Sequence, residues 1–223
     1  MQSNILKNTT DSLMQGAILG TIAHGIWVAQ YPEMAALQSW DDTNYCIQDY
    51  SGAYGTISFS EIGTVGVFFD SHRWKKTISR IPNYSPQSFF VGTPKPLWNL
   101  AKNETLQYML RDFSGSVQPL ITAAFWSEDK NLCASKPWNL VFENGAHLIA
   151  NHLLDIDASF LYWTDFYELS ESQLSLLKII FSKKMNTSTL VELSSDEKFA
   201  LMDGAKDFNL CRKIFLSIGI SLP

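Results

Sequence analysis

Three short strand-like segments joined by glycine-containing turns lie between residues 44 and 69. Residues 45–50 alternate in polarity, and residues 54–59 and 64–69 are rich in β-branched and aromatic side chains. Ser51-Gly52 separates the first two segments, and Glu61-Ile62-Gly63 separates the last two. Because short turns of this kind join neighbouring antiparallel strands, the pattern predicts a β-meander over about residues 44–69.

The segment before the meander has the apolar period of an α-helix. Thr9-Thr10-Asp11 offers side-chain oxygens that can cap a helix N-terminus, and Pro32 ends the segment. Gly16 and Gly20 predict that another part of the backbone approaches this helix closely, and His24 predicts a buried histidine hydrogen-bonded to a neighbour. One face carries Leu13, Ala17, Gly20, His24, Trp27 and Val28.

The same segment does not fit a membrane span. The apolar run from Leu13 to Val28 is interrupted by Gln15 and His24, and it is shorter than the ~20 residues that a bilayer requires. We therefore expect no association with a membrane.

The second half of the chain is dominated by helix signals. Ser170 with Gln173, and Ser194 with Glu197, have the spacing of a capping box at a helix N-terminus. Further helices are predicted over residues 97–111 and 144–154, and further strands over residues 88–91, 120–126, 138–142 and 189–193.

Together these elements predict an α+β fold. We expect a single domain over residues 1–223, with an N-terminal helix, the antiparallel meander and a helix-rich C-terminal half. The chain has 223 residues, of which 46% are apolar and 13% aromatic. A chain of this size and composition can bury a stable core without disulfides or a structural metal.

Cysteine usage and the N-terminus point to a reducing compartment. Cys46, Cys133 and Cys211 are odd in number and widely separated, which argues against a disulfide framework and against a cysteine-based zinc site. The start of the chain lacks the basic region of a signal peptide. We expect a cytoplasmic protein with three free thiols.

The formal charge of −5 limits the classes of partner. Nucleic-acid-binding proteins usually carry a basic stripe. The densest basic stretch here, from Arg73 to Arg80, is interpreted as a solvated loop or strand edge. We therefore expect no nucleic-acid partner, whereas an acidic surface favours a basic protein partner.

Residues 143–155 are the candidate for metal or acid–base chemistry. Glu143 and His147 are four residues apart and His152 and Asp155 are three apart, so each pair shares a helix face. The two histidines, however, are separated by about 140° around a helix, which does not suit a single ion. We expect no metal here. The alternative is a metal-dependent or acid–base hydrolase that uses these four residues.

The cluster Trp40-Asp41-Asp42 is the candidate for partner binding. It combines two adjacent carboxylates with a large aromatic side chain at the entrance of the meander. Turn formation by the aspartates explains the same pattern. Binding of a cation or of a basic partner is the functional interpretation.

Motifs that would assemble an active site are absent from the sequence. Asp70-Ser71-His72 has the residue types of a hydrolase triad, but adjacent side chains diverge, and no GxSxG elbow occurs. We expect no cofactor and favour a protein without turnover. In size, acidity and predicted one-domain organisation the chain is similar to bacterial immunity proteins, although no motif carries the similarity. The hypothesis is a non-catalytic protein-binding module, an immunity-type inhibitor of a basic partner such as a toxin domain.

Overall fold

The computed structural model describes residues 4–80, 84–113, 115–187 and 189–222, and for residues 77–80 it describes the backbone alone. The α+β class is confirmed. The strands are β1 (Asn4–Thr9), β2 (Gln38–Asp41), β3 (Asn44–Gln48), β4 (Ala53–Ser60), β5 (Gly63–Asp70), β6 (Leu110–Phe113), β7 (Ser116–Pro119), β8 (Ala123–Glu128), β9 (Asn131–Ala134), β10 (Val191–Glu192) and β11 (Ile220–Ser221).

The α-helices are α1 (Thr10–Val28), α2 (Ser71–Arg80), α3 (Lys95–Asn103), α4 (Trp138–Glu143), α5 (Ile156–Phe166), α6 (Glu171–Met185), α7 (Ser195–Met202) and α8 (Phe208–Ser217). Shorter 3₁₀ helices occupy Pro32–Leu37, Pro86–Phe90, Thr105–Met109 and Ala146–Leu153. In the described parts of the chain, no helix is long and apolar enough to cross a membrane.

The chain groups into two compact units, each built from two separate stretches. Unit 1 comprises Met1–Asp11 and Thr43–Ala150, and unit 2 comprises Ser12–Asp42 and Asn151–Pro223. The sequence predicts a single domain over residues 1–223, and this stays a prediction.

Unit 1 contains an antiparallel sheet with the strand order β1-β9-β8-β5-β4-β3. The predicted meander is confirmed as β3, β4 and β5, with Tyr45 opposite Ile57 and Thr56 opposite Val67. Gly63 at the second turn has φ 134°, a conformation that suits glycine because it has no Cβ. The meander thus forms the centre and one side of the sheet.

Unit 2 is organised around α1, the helix that the apolar period predicts, but burial extends beyond the predicted face of this helix. Leu19, Ile22 and Ile26 on this helix are buried in a core with Trp163 and Phe215. The predicted close approach of another backbone segment is confirmed at Gly16, whereas Gly20 is met by side chains. A Cβ on Gly16 would lie 2.0 Å from the carbonyl oxygen of His152, and a Cβ on Gly20 would lie 2.9 Å from the Trp163 ring.

Both predicted capping boxes are confirmed in unit 2. Ser170 accepts a hydrogen bond from the backbone of Gln173, whose side chain accepts one from the backbone of Ser170. Ser194 and Glu197 repeat this arrangement at the start of α7. Because each box satisfies two backbone donors, it fixes where its helix begins.

Several local expectations are wrong. Residues 88–91 and 138–142, expected as strands, belong largely to a 3₁₀ helix and to α4. The helix expected over 97–111 ends at Asn103 and gives way to a 3₁₀ helix and β6. The basic stretch from Arg73 to Arg80 is part of α2 rather than a loop or strand edge; the Arg80 side chain lies outside the described residues.

Candidate functional site

The four residues of the candidate segment 143–155 lie in different environments. Glu143 is the exposed last residue of α4, and His147 lies exposed on the following 3₁₀ helix. His152 is fully buried, with its ring edge-on to Trp163 at 5.1 Å between centroids. Asp155 caps α5 by accepting a hydrogen bond from the backbone of Ala158 at 3.0 Å. Among the described residues, no group of three His, Cys, Asp or Glu side chains could hold a metal ion.

His147 instead contacts a tight loop between β3 and β4. Its Nε2 lies 3.6 Å from a carboxylate oxygen of Asp49. Burial alone would raise the pKa of Asp49, but hydrogen bonds from Ser51 and Ala53, together with His147, outweigh it and lower that pKa. The charged form of Asp49 is therefore stabilised mainly by hydrogen bonds within its own loop, and His147 makes the smallest contribution.

The residues Asp70-Ser71-His72 do not form a catalytic triad. Asp70 caps α2 by accepting a hydrogen bond from the backbone of His72 at 2.8 Å. Nε2 of His72 lies 2.8 Å from the backbone carbonyl of Ser51. These contacts hold the start of α2 against the β3–β4 loop and give Asp70 and His72 structural partners.

Trp40 is anchored within unit 2 while its two acidic neighbours face solvent. The indole Nε1 donates a hydrogen bond to Thr21 on α1 at 2.8 Å, and the half-buried ring packs against the unit 2 core. Asp41 and Asp42 are exposed, and Asp42 has φ 53°. Asp and Asn accept this left-handed conformation better than most residues. Trp40 is thus a support for the acidic turn rather than an exposed anchor.

Unit 2 carries all of the protein's negative net charge. Unit 2 contains thirteen acidic and seven basic residues, a net charge of −6, whereas unit 1 contains nine acidic and ten basic residues, a net charge of +1. The sequence order hides this division because each unit is assembled from two stretches. The acidic field therefore originates from one unit.

An exposed face of α5 adds apolar surface to these charges. Asp157, Leu161 and Asp165 follow each other at four-residue steps and share one side of the helix. All three are exposed, and Leu161 exposes 71% of its surface. We call these three residues the α5 face. Its combination of carboxylates with a bare leucine is complementary to a segment that carries both basic and apolar side chains.

A cleft of about 290 Å³ lies in unit 1 where β5 and β9 end and β8 begins. Its buried floor includes Phe89, Thr122, Ala123, Ala124 and Val141. Its mouth carries four exposed charged side chains, Arg73, Lys76, Lys136 and Glu143. We call it the unit 1 cleft. Sequence reasoning identified the basic stretch and Glu143 separately, but it did not bring them together.

A buried histidine in unit 2 is also strongly perturbed. His24 is fully buried and lies 3.3 Å from the carbonyl of Ala35 and 3.2 Å from the hydroxyl of Tyr167. Burial lowers the pKa of His24 from 6.5 to about 4, although the hydrogen bond to Ala35 opposes the shift. The predicted buried, hydrogen-bonded histidine is confirmed. It is neutral near pH 7 and belongs to the core.

Comparison of the chain with protein-family models, with curated proteins and with solved structures finds no match.

Proposed function

We propose that the protein is a non-catalytic binding module that uses the acidic surface of unit 2 to bind a protein partner with a basic surface. The observation that carries the proposal is the net charge of −6 on unit 2, against +1 on unit 1. A concentrated charge of one sign steers an oppositely charged partner and raises the association rate. An immunity-type inhibitor of a basic toxin domain is a protein of this kind.

The acidic turn at Asp41 and Asp42 supports the proposal through its rigidity. The hydrogen bond from Trp40 to Thr21 holds the strand that leads into the turn. Because the turn is held in place before a partner arrives, binding loses little conformational entropy there.

The α5 face supplies a second kind of contact. Leu161 is largely exposed between Asp157 and Asp165. Charge complementarity affects mainly the association rate, whereas burial of an apolar side chain slows dissociation. A partner that buries Leu161 would therefore gain residence time in addition to fast association.

The test is affinity capture from the native host followed by binding kinetics at low and at physiological ionic strength. Asp41→Asn combined with Asp42→Asn removes two charges, and asparagine tolerates the backbone conformation at residue 42. We expect this variant to associate more slowly by roughly two- to tenfold at low salt, with a flatter salt dependence.

The matched control is Glu61→Gln combined with Glu128→Gln. It removes two charges from exposed positions in unit 1, and we expect it to leave the association rate unchanged. Equal slowing in both double variants, or no retained partner, would contradict the proposal. Substrate turnover that His147→Ala abolishes would replace it with the hydrolase alternative.

A further inference from the structure

We propose that the unit 1 cleft is a binding site for a small organic anion, a carboxylate attached to a compact apolar body. The proposal does not rest on the binding of a protein partner, because the cleft is lined by residues of unit 1 alone. It rests on the shape of the cleft, the charge at its mouth and the construction of its floor.

The cleft lies at a junction where the backbone changes direction several times. β5 ends at Asp70 and leads directly into α2, β9 ends at Ala134 shortly before α4, and β8 begins at Ala123. Phe68 of β5 is paired with Ala123 of β8, so these strand ends are neighbours. Helices and loops that leave the sheet here enclose a concave space, as is common for small-molecule sites.

Charge at the mouth of the cleft is predominantly positive. Arg73 and Lys76 reach it from α2, one turn apart, and Lys136 reaches it from the segment after β9. Glu143 on α4 is the acidic member of the group. The mouth therefore has a net charge of +2, which favours an anion. A guanidinium group also matches the two oxygens of a carboxylate.

The walls of the cleft are fixed before any ligand binds. The hydroxyl of Thr122 accepts a hydrogen bond from the backbone of Asp70 at 3.0 Å and donates one to the carbonyl of Asn144 at 2.5 Å. The hydroxyl of Ser135 donates to the carbonyl of Phe89 at 2.8 Å. The two bonds of Thr122 tie the end of β5, the start of β8 and the end of α4 to one another, and the Ser135 bond ties the segment after β9 to the Pro86–Phe90 helix. A site with fixed walls loses less entropy when it binds a ligand.

The lining determines the chemical class of the ligand. Phe89, Ala123 and Val141 are buried and apolar, and Leu140 is an apolar residue at the rim. A volume of about 290 Å³ lies at the lower limit of ordinary small-molecule sites, roughly 300–1,000 Å³. At about 30 Å³ for each water-sized group, it holds roughly ten such groups. One ring with a short carboxylate arm has this size.

The test uses phenylacetate as the probe and phenylacetamide as its neutral twin, each titrated into the full chain and followed by protein NMR. A ligand of this size has a dissociation constant of about a millimolar at ordinary ligand efficiency. We expect saturable shifts with phenylacetate in the residues of the unit 1 cleft, and binding of the amide that is weaker by about tenfold.

Two neighbouring lysines of α2 provide matched variants. Lys76 lines the cleft and Lys75 does not, and both are exposed. We expect Lys76→Gln to weaken phenylacetate binding by about three- to tenfold and Lys75→Gln to leave it unchanged. Melting curves of the two variants report whether either substitution disturbs the fold.

Three results would overturn the proposal. The first is the absence of saturable shifts with phenylacetate. The second is equal binding of phenylacetate and phenylacetamide, because the cations would then have no role. The third is equal weakening by Lys75→Gln and Lys76→Gln, because attraction would then come from the general charge of α2 rather than from the cleft.

Discussion

At the scale of single residues, the ionisation of His24 is tied directly to folding. The carbonyl of Ala35 can only accept a hydrogen bond, so Nε2 of His24 carries the proton and Nδ1 accepts from the Tyr167 hydroxyl. That hydroxyl in turn accepts a hydrogen bond from Gln38 at 2.8 Å. Both nitrogens of the neutral ring are therefore satisfied. A second proton would remove the acceptor that Tyr167 uses.

This arrangement predicts a loss of stability in mild acid. The pKa of His24 is about 4 in the folded protein and 6.5 in the unfolded chain, so the unfolded state binds more protons between these values. Stability is thus complete above about pH 6.5, falls as the pH drops towards 4, and falls by roughly 3 kcal/mol in total. Urea unfolding at several pH values measures it. His24→Gln should flatten the dependence in this window, and an unchanged slope would contradict the assignment.

Close packing at Gly16 predicts a second residue-level effect. A Cβ at this position would meet the backbone carbonyl of His152 at 2.0 Å, so Gly16→Ala forces the two backbone segments apart. We expect a loss of about 1–3 kcal/mol in the free energy of unfolding, despite the gain of about 1 kcal/mol in helix propensity. Denaturant unfolding measures the net change in the free energy of unfolding, which includes both the clash and the gain in helix propensity.

Gly25→Ala on the same helix is the matched control. A Cβ there would lie 3.3 Å from a methyl group of Ile214, and such a side chain can shift by a few tenths of an ångström. We expect this variant to be neutral or slightly stabilising, because the gain in propensity is not opposed by a backbone clash. Equal loss in both variants would mean that the alanine methyl itself, rather than the contact with His152, is responsible.

At the scale of elements, the sequence predicts best what is determined locally. The capping boxes at Ser170 and Ser194 and the turn at Gly63 involve residues within a few positions of each other, and all three occur as expected. In contrast, β1 and β9 were missed. Asn4 pairs with Ala134, so the residues that make β1 a strand lie 130 positions away.

One short apolar segment shows a different limit of sequence reasoning. Residues 138–142 contain a tryptophan, a leucine, a valine and a phenylalanine, a composition that suits a buried strand or a buried helical turn equally. In the structure Trp138 and Val141 are buried and three residues apart, as one side of α4 requires. Packing within unit 1 decides between the repeat of a strand and the repeat of a helix, and the local composition gives no information about that packing.

The same contrast between features set by neighbouring residues and features set by distant residues applies to the candidate sites. The acidic turn at Asp41 and Asp42 is contiguous in sequence and was therefore identified as a candidate. The unit 1 cleft combines Arg73, Thr122 and Lys136, which lie 49 and 14 positions apart in the sequence. A basic stretch alone gave no reason to expect a cavity beside it. The cleft cannot be predicted without the strand pairing, which places the ends of β5 and β9 beside the start of β8.

At the scale of the whole molecule, the chain passes between its two units three times. The passages follow Asp11, Asp42 and Ala150. The first lies inside α1 and the last inside the 3₁₀ helix Ala146–Leu153. Two elements are therefore shared between the units, and each unit needs both of its stretches. A flexible linker between independent domains, the usual form of a domain boundary, does not describe the first and the last of these passages.

This connectivity predicts one cooperative unfolding transition, in agreement with the single domain expected from the sequence. Each unit consists of two stretches that the chain of the other unit connects. When one unit unfolds, the two stretches of the other are joined only by a long unfolded loop, and closing this loop costs conformational entropy. Calorimetry should give equal calorimetric and van't Hoff enthalpies. The buried thiols report on each unit separately, because Cys133 lies in unit 1 and Cys211 in unit 2, and neither forms a disulfide. We expect pulsed thiol labelling across a urea series to give the same midpoint for both cysteines. Burial raises the pKa of Cys211 to about 12, so this thiol should react only once its unit opens. Two separate midpoints would show that the units are independent domains.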